Sequence, residues 1–114
     1  IRCGGAGLGG VLTPTGAGTE VARGKQVIAV NGREYLLETA LRAEFGFIKA
    51  SVCDAMGNAF IPKSAKNFNV VMAMAAAHTI VETDHVVEPG ELDPERVSVP
   101  GIFAKTIARS NGDE

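Results

Sequence analysis

Gly5-Ala6-Gly7-Leu8-Gly9-Gly10 is the first pattern in the chain whose residue types could do chemistry, because it satisfies G-x-G-x-x-G. In a dinucleotide-binding turn, such glycines let a pyrophosphate approach the N-terminus of a helix. That use requires a strand before the glycines, a helix after them and an acidic residue about twenty positions further on. Only four residues precede Gly5, Val11-Leu12-Thr13-Pro14-Thr15-Gly16 cannot open a helix of useful length, and Lys25 stands near the acidic position. The pattern therefore reads as a tight glycine loop that shapes an interface or a pocket wall, where a bare backbone can be approached closely.

Other candidate groups carry weaker signals. Glu44 and Glu82 lie beside apolar, strand-like stretches, and burial could tune either into a nucleophile or general base. The chain holds nine glutamates and no second group marks any of them, so a solvated or salt-bridged role is expected for each. His78 precedes an apolar strand and His85 lies in a polar loop; both read as hydrogen-bonded structural histidines. Ser51, Ser64, Ser98 and Ser110 lack the G-x-S-x-G elbow. Met72 and Met74 read as core packing. Cys3 and Cys53 are fifty positions apart, and neither histidine stands at ligand spacing to them. Two reduced structural thiols and no metal site follow from that spacing.

The elements that must position these groups belong to a chain of 114 residues, 46% apolar and 21% charged, with a net charge of -2. That length suits one domain, and the balance excludes a disordered charged tail. The basic residues are scattered, which argues against a nucleic-acid footprint. The longest apolar stretch, Val70 to Ala77, falls far short of the roughly 18 residues of a membrane helix. The first residues lack a basic region and an apolar core, so they do not read as a signal peptide, and without an initiator Met the chain reads as processed or truncated.

Residues 1–24 hold eight of the fourteen glycines and read as a loop region rather than a regular helix. Residues 25–109 carry the strands and one helix, and residues 110–114 read as a frayed tail. Gln26–Val30 and Glu34–Leu37 flank Asn31-Gly32, the preferred pair for a type I′ hairpin turn. Phe45–Val52 reads as a strand buried on both faces. Asp54–Asn58 reads as a turn, and Ala59–Ile61 as a short strand stopped by Pro62. Asn67 or Asn69 is placed to cap a helix running through Met72 to Ala77, apolar all round and so wholly buried. His78–Thr83 is β-branched and strand-like, Val97–Val99 is a short extended piece, and Ile102–Ile107 reads as a last strand. Strand, helix and strand in this order predict an α/β fold with an open, mostly parallel sheet.

Ile1-Arg2-Cys3-Gly4-Gly5-Ala6-Gly7-Leu8-Gly9-Gly10, followed by Leu12-Thr13-Pro14-Thr15-Gly16 and Gly18-Thr19, closely resembles the A (alpha) subunit of family I 3-oxoacid CoA-transferases. Tyr35-Leu36-Leu37-Glu38, Gly57-Asn58, Ser64-Ala65-Lys66-Asn67-Phe68-Asn69, Gly90-Glu91-Leu92-Asp93-Pro94 and Pro100-Gly101-Ile102-Phe103 fit the same family in order and spacing. The resemblance covers almost the whole chain and implies the C-terminal half of such a subunit, hence an incomplete α/β sheet. It also implies a cytoplasmic enzyme, paired with a B subunit, that moves CoA between an acyl-CoA and a short-chain carboxylate such as acetate or a 3-oxoacid. In that family the transfer runs through a glutamyl-CoA thioester, with CoA as substrate and no cofactor. The nucleophilic glutamate belongs to the B subunit, and Glu44-Phe45-Gly46 matches the family's Glu-x-Gly only through composition. Under the resemblance, Gly7, Leu8, Gly9 and Gly10, with Thr13 and Thr15, would offer backbone N–H groups to a substrate carboxylate or pack closely on the B subunit. The competing expectation is a non-enzymatic assembly fragment that only completes a larger sheet.

Overall fold

The structure, a computed structural model, describes residues 1–110. It is elongated, 55 × 29 × 24 Å, and holds two open sheets. The first is antiparallel, in the order β1-β3-β2, from β1 (Gly10–Thr13), β2 (Val27–Val30) and β3 (Arg33–Thr39). Asn31 and Gly32 join β2 to β3 with φ of 50° and 77°, as a type I′ turn requires. β1 runs along the other side of β3, from Gly10 opposite Thr39 to Thr13 opposite Leu36. Leu36 is the fully buried side chain at the centre of this sheet.

The glycine-rich region is more ordered than a loop. Arg2–Gly5 form a single helical turn, α1, and β1 follows it. Glycine is a poor helix former, but Gly4 and Gly5 press α1 against the Leu41 backbone and Met74, where a side chain would collide. Packing therefore outweighs propensity here.

The second sheet has the order β5-β4-β6-β7. β4 (Ala43–Asp54) and β6 (Ala76–Val87) run parallel from Ala43 opposite Ala76 to Asp54 opposite Val87. β7 (Ala104–Arg109) is parallel to β6, and the short β5 (Ala59–Phe60) is antiparallel to β4. The helix α2 (Lys66–Ala75) carries the chain back over one face, as a parallel connection demands. The core lies beneath it: Ile48, Ala50, Cys53, Ala59, Ile61, Ala73, Val81 and Val99.

Several boundaries and burials differ from the sequence expectations. β6 absorbs both His78–Thr83 and Val86-Val87. The last strand begins at Ala104, because Gly101–Phe103 form a 3-10 turn. β4 is buried on one face only: Gly46, Ile48 and Ala50 face α2, while Phe45 and Phe47 are 57% and 68% exposed. Nor is α2 wholly buried, since Ala73 and Ala75 are its buried residues and Phe68 is exposed. Neither asparagine caps it: Asn67 leaves helical geometry (φ 12°, ψ -113°), and the Asn69 carboxamide accepts from the Lys49 amide and donates to the Ala65 carbonyl. Ser110 is tied down, its amide donating to the Thr83 carbonyl at 2.8 Å; the rest of the expected frayed tail, residues 111–114, lies outside the described residues.

The turn geometry sets a test. Gly32→Ala puts a Cβ at φ 77° in otherwise open space, so the loss is conformational and amounts to about 1 kcal/mol or more. Thermal unfolding should show a lower Tm; an unchanged Tm would mean that the turn is not type I′ in solution.

Candidate functional site

The glycine loop is a helix stop followed by an exposed ledge. Gly7 takes φ 73°, its amide reaches the Gly4 carbonyl at 3.4 Å, and the Leu8 amide reaches the Cys3 carbonyl at 2.9 Å. Those two bonds close α1 in a Schellman motif, for which Gly at the left-handed position is the usual solution. Leu8 then projects to solvent, 58% exposed. The order is helix, glycines, strand, which is the reverse of what a dinucleotide turn needs.

Within the ledge the glycines do different work. A Cβ at Gly10 would stand 2.5 Å from the Glu38 carbonyl oxygen, so β1 approaches β3 only because glycine has no such atom. A Cβ at Gly9 would meet nothing within 4 Å, and Gly9 lies outside the left-handed region. Thr13 and Thr15 sit at and beyond the far end of β1, where the Thr13 hydroxyl accepts from the Thr15 amide at 3.2 Å. The structure thus brings Gly7, Leu8, Gly9 and Gly10 together on one turn and sets the two threonines apart from them.

Two carboxylates and a lysine gather on the exposed face of the second sheet. Lys49 Nζ donates to Glu82 at 3.1 Å and to Asp84 at 2.7 Å, and the Ser110 hydroxyl donates to Glu82 at 2.7 Å. The Ser110 and Lys49 hydrogen bonds hold the Glu82 carboxyl below the usual carboxylate range, and Lys49 does the same for Asp84. The lysine is raised in turn by Asp84 and Glu82. Glu82 is therefore an exposed ion-pair partner, as the sequence suggests. His78 Nε2 lies 2.8 Å from the Thr106 hydroxyl and its ring stands 5.6 Å from that of Phe45, so it is hydrogen-bonded and packed. Both cysteines are free thiols. Burial first, and the Asp54 charge second, push the Cys53 thiol up to about 11, which leaves it protonated and unreactive at neutral pH.

Two features escape the sequence reading. A cleft of about 260 Å³ opens between α1, the start of β4 and the end of α2, lined by Leu41, Arg42, Phe45, Gly46, Met72 and Ala75 among others. Its apolar lining comes from segments far apart in the chain, and no local pattern marks them. The second feature is a polar staple. The Asp54 carboxylate accepts from the Met56 and Asn58 amides and the Asn58 carboxamide, and Asn58 Oδ1 accepts from the Gly101 amide at 2.8 Å. Gly57-Asn58 and Pro100-Gly101 are joined by that staple. Their signal is visible in the sequence, but it marks a corner of the fold rather than a reacting group. Among the described residues no three metal-ligating side chains converge, and no helix is long and apolar enough to cross a membrane.

The chain has clear relatives. The Coenzyme A transferase family model matches residues 1–110. The alpha subunit of acetate CoA-transferase from Escherichia coli is 54% identical over 107 residues, 94% of this chain and 49% of that protein. The A subunit of succinyl-CoA:3-ketoacid coenzyme A transferase from Helicobacter pylori strain J99 is 45% identical, over 94% of this chain and 46% of that protein. Among solved structures, an acyl-CoA transferase from E. coli O157:H7, in a thioester complex with CoA, superposes with a TM-score of 0.84 at 18% identity. It takes in 99% of this chain and 26% of that one. Glutaconate coenzyme A-transferase from Acidaminococcus fermentans gives a TM-score of 0.83 at 16% identity, over 96% of this chain and 41% of that one. The chain thus spans about half the length of the curated relatives it matches.

Two outcomes follow from the geometry. Gly9→Val should leave circular dichroism and Tm near native, whereas Gly10→Val forces β1 off β3 and should cost about 1–3 kcal/mol. Equal Tm losses would show Gly9 to be packed as well. Lys49→Met should raise the Glu82 and Asp84 carboxyls toward their ordinary values, Glu82 less because Ser110 still donates to it, as read by NMR titration. Because a depressed carboxyl stabilises the fold above its ordinary range and loses that effect as pH falls, the variant should also be less sensitive to mild acid. Unmoved titrations would mean that the cluster does not persist in solution.

Proposed function

This chain belongs to the coenzyme A transferase family, and from that premise we propose that it is part of the A subunit of a CoA-transferase that works with a B subunit. The observation that carries the reading is the 54% identity, over nearly the whole chain, to an acetate CoA-transferase alpha subunit. The reaction moves CoA between a short-chain acyl-CoA and acetate or a 3-oxoacid. It passes through a glutamyl-CoA thioester, which keeps the energy of the donor thioester in a covalent bond while acids exchange. That glutamate sits on the B subunit. In keeping with this, none of the glutamates among the described residues is buried, and Glu82 and Glu38 are held by Lys49 and Lys25.

The role of this chain is to shape the acyl pocket and the interface with its partner. The Gly7 and Leu8 amides are taken up by the Gly4 and Cys3 carbonyls, so the ledge would offer the exposed Leu8 side chain and the bare backbone at Gly9 to a substrate or to the B subunit, with Gly10 seating it on β3 and Thr13 and Thr15 standing apart at the far end of β1. The open space above Gly9 supports close approach by another chain or a ligand.

The test is a CoA-transfer assay with acetoacetyl-CoA and acetate. The 114-residue chain alone should be inactive, and a full-length A subunit carrying this segment should be active only with its B subunit. Activity of the isolated chain, abolished by Glu44→Gln, would contradict the proposal.

A further inference from the structure

We propose that the outer edge of β2 pairs with the same edge of a second copy of this chain, antiparallel and about a twofold axis, so that two three-stranded sheets join into one. The inference does not rest on the reaction proposed above.

The edge is defined by its hydrogen bonds. β2 is an outer strand, paired on one side only, with β3. The Leu37 amide donates to the Gln26 carbonyl at 2.9 Å, so residues 26, 28 and 30 turn their backbone groups toward β3. Because these groups alternate along an antiparallel strand, Val27 and Ala29 turn theirs outward. Both residues are exposed, Val27 at 48%. Open backbone groups on an edge are a template for another strand, and proteins blunt such edges with lysine, proline, bulges or a covering segment. The other three edges of the described sheets carry devices of this kind. β1 runs into Pro14, the short β5 is bridged by Val99, and β7 bears Lys105 and Arg109. β2 reads Val-Ile-Ala-Val and bears no charge, proline or bulge.

The occupant follows from self-complementarity. A twofold axis normal to the sheet at Ile28 sets Val27 opposite Ala29 of the second copy, and Ala29 opposite its Val27. Each of these is a hydrogen-bonded pair that exchanges both N–H···O bonds, so every outward group of the two residues finds a partner. Ile28 meets Ile28 of the second copy in the closer, non-hydrogen-bonded arrangement, which suits β-branched side chains. A slip of one residue sets outward groups against inward ones, and a slip of two moves half of the bonds off the strand. Charge agrees with this register. Tyr35 lies beside Ile28 in each copy, so one apolar row crosses the seam. Glu34 beside Ala29 and Arg33 beside Val30 look across it at uncharged Val27 and Gln26, and no like charges meet. Four residues from each copy fall short of the roughly 1,200 Å² of a stable complex, so the association is weak and depends on concentration.

The test is disulfide coupling between two variants of the 114-residue chain, Val27→Cys and Ala29→Cys, each in a Cys3→Ser background. Both sites are exposed, so neither change removes core packing. Mixed and oxidised, the two should couple to each other at least about tenfold faster than either couples to itself, because only residues 27 and 29 stand opposite across the seam. Coupling without that preference, or fastest within one variant, would overturn the pairing. Sedimentation supplies a second readout. The weight-average mass of the unaltered chain should rise above the monomer's as concentration approaches about 1 mM. Ala29→Lys should stay monomeric with an unchanged Tm, since lysine blunts an edge without unfolding the strand. An unaltered chain that stays monomeric, or equal dimerisation of Ala29→Lys, would contradict the proposal. The coupling is then repeated in a full-length A subunit with its B subunit. Persistence there supports the pairing, and its loss would assign the edge to another segment and overturn the inference.

Discussion

The parallel ladder between β4 and β6 holds the larger sheet in register, and it depends on a close approach near the start of both strands. A Cβ built at Gly46 would lie 2.7 Å from that of Ala76, the first residue of β6. With glycine there, α2 ends directly into β6 without an intervening loop, and the Thr79 hydroxyl donates to the Ala73 carbonyl across the junction. The rest follows: β7 extends the ladder on one side, the Asp54–Asn58 staple closes the far end of β4, and α1 leans on α2 through Gly5. A side chain at Gly46 would lift α2 from the sheet and open the core around Ile48, Ala73 and Val81.

That constraint explains how the glycine ledge is held. α1 is a single turn, too short to be stable alone. It persists because Gly4 and Gly5 seat it on Leu41 and Met74, and Gly7 ends it with a left-handed cap. The ledge from Leu8 to Gly9 is thus presented from packed elements on both sides, α1 before it and the β1–β3 pair after it. A surface of bare backbone positioned in this way suits close contact with a ligand or another chain, and the proposed role of the ledge draws on that property.

Much of the fold is legible in the sequence where the signal is local. Asn31-Gly32 specifies its own turn, and the β-branched run from His78 to Thr83 specifies a strand. Strand, helix and strand together specify a parallel, open α/β sheet. Where expectation and structure part, the physical cause is shared. Phe45–Val52 and the helix are apolar at nearly every position, a pattern that reads as burial all round, whereas in the structure the strand is covered on one face and only Ala73 and Ala75 of the helix are buried. The one-turn α1 is hidden because helix propensity says nothing about glycines whose value lies in close packing. Among candidate site residues, the glycine turn is legible from spacing alone. Thr13 and Thr15 sit toward the other end of β1, and the cleft near Arg42 has no sequence signature because distant segments build it.

The central claim is that this segment shapes the site and does not carry the nucleophile. Trapping tests that point directly. The full-length A subunit, together with its B subunit, is incubated with acetoacetyl-CoA, the enzyme thioester is quenched with hydroxylamine, and the resulting hydroxamate is located by peptide mapping. The predicted result is a modified glutamate in the B subunit, with every glutamate of this segment unmodified. A hydroxamate at Glu44, Glu82 or any other glutamate of this chain would contradict the claim.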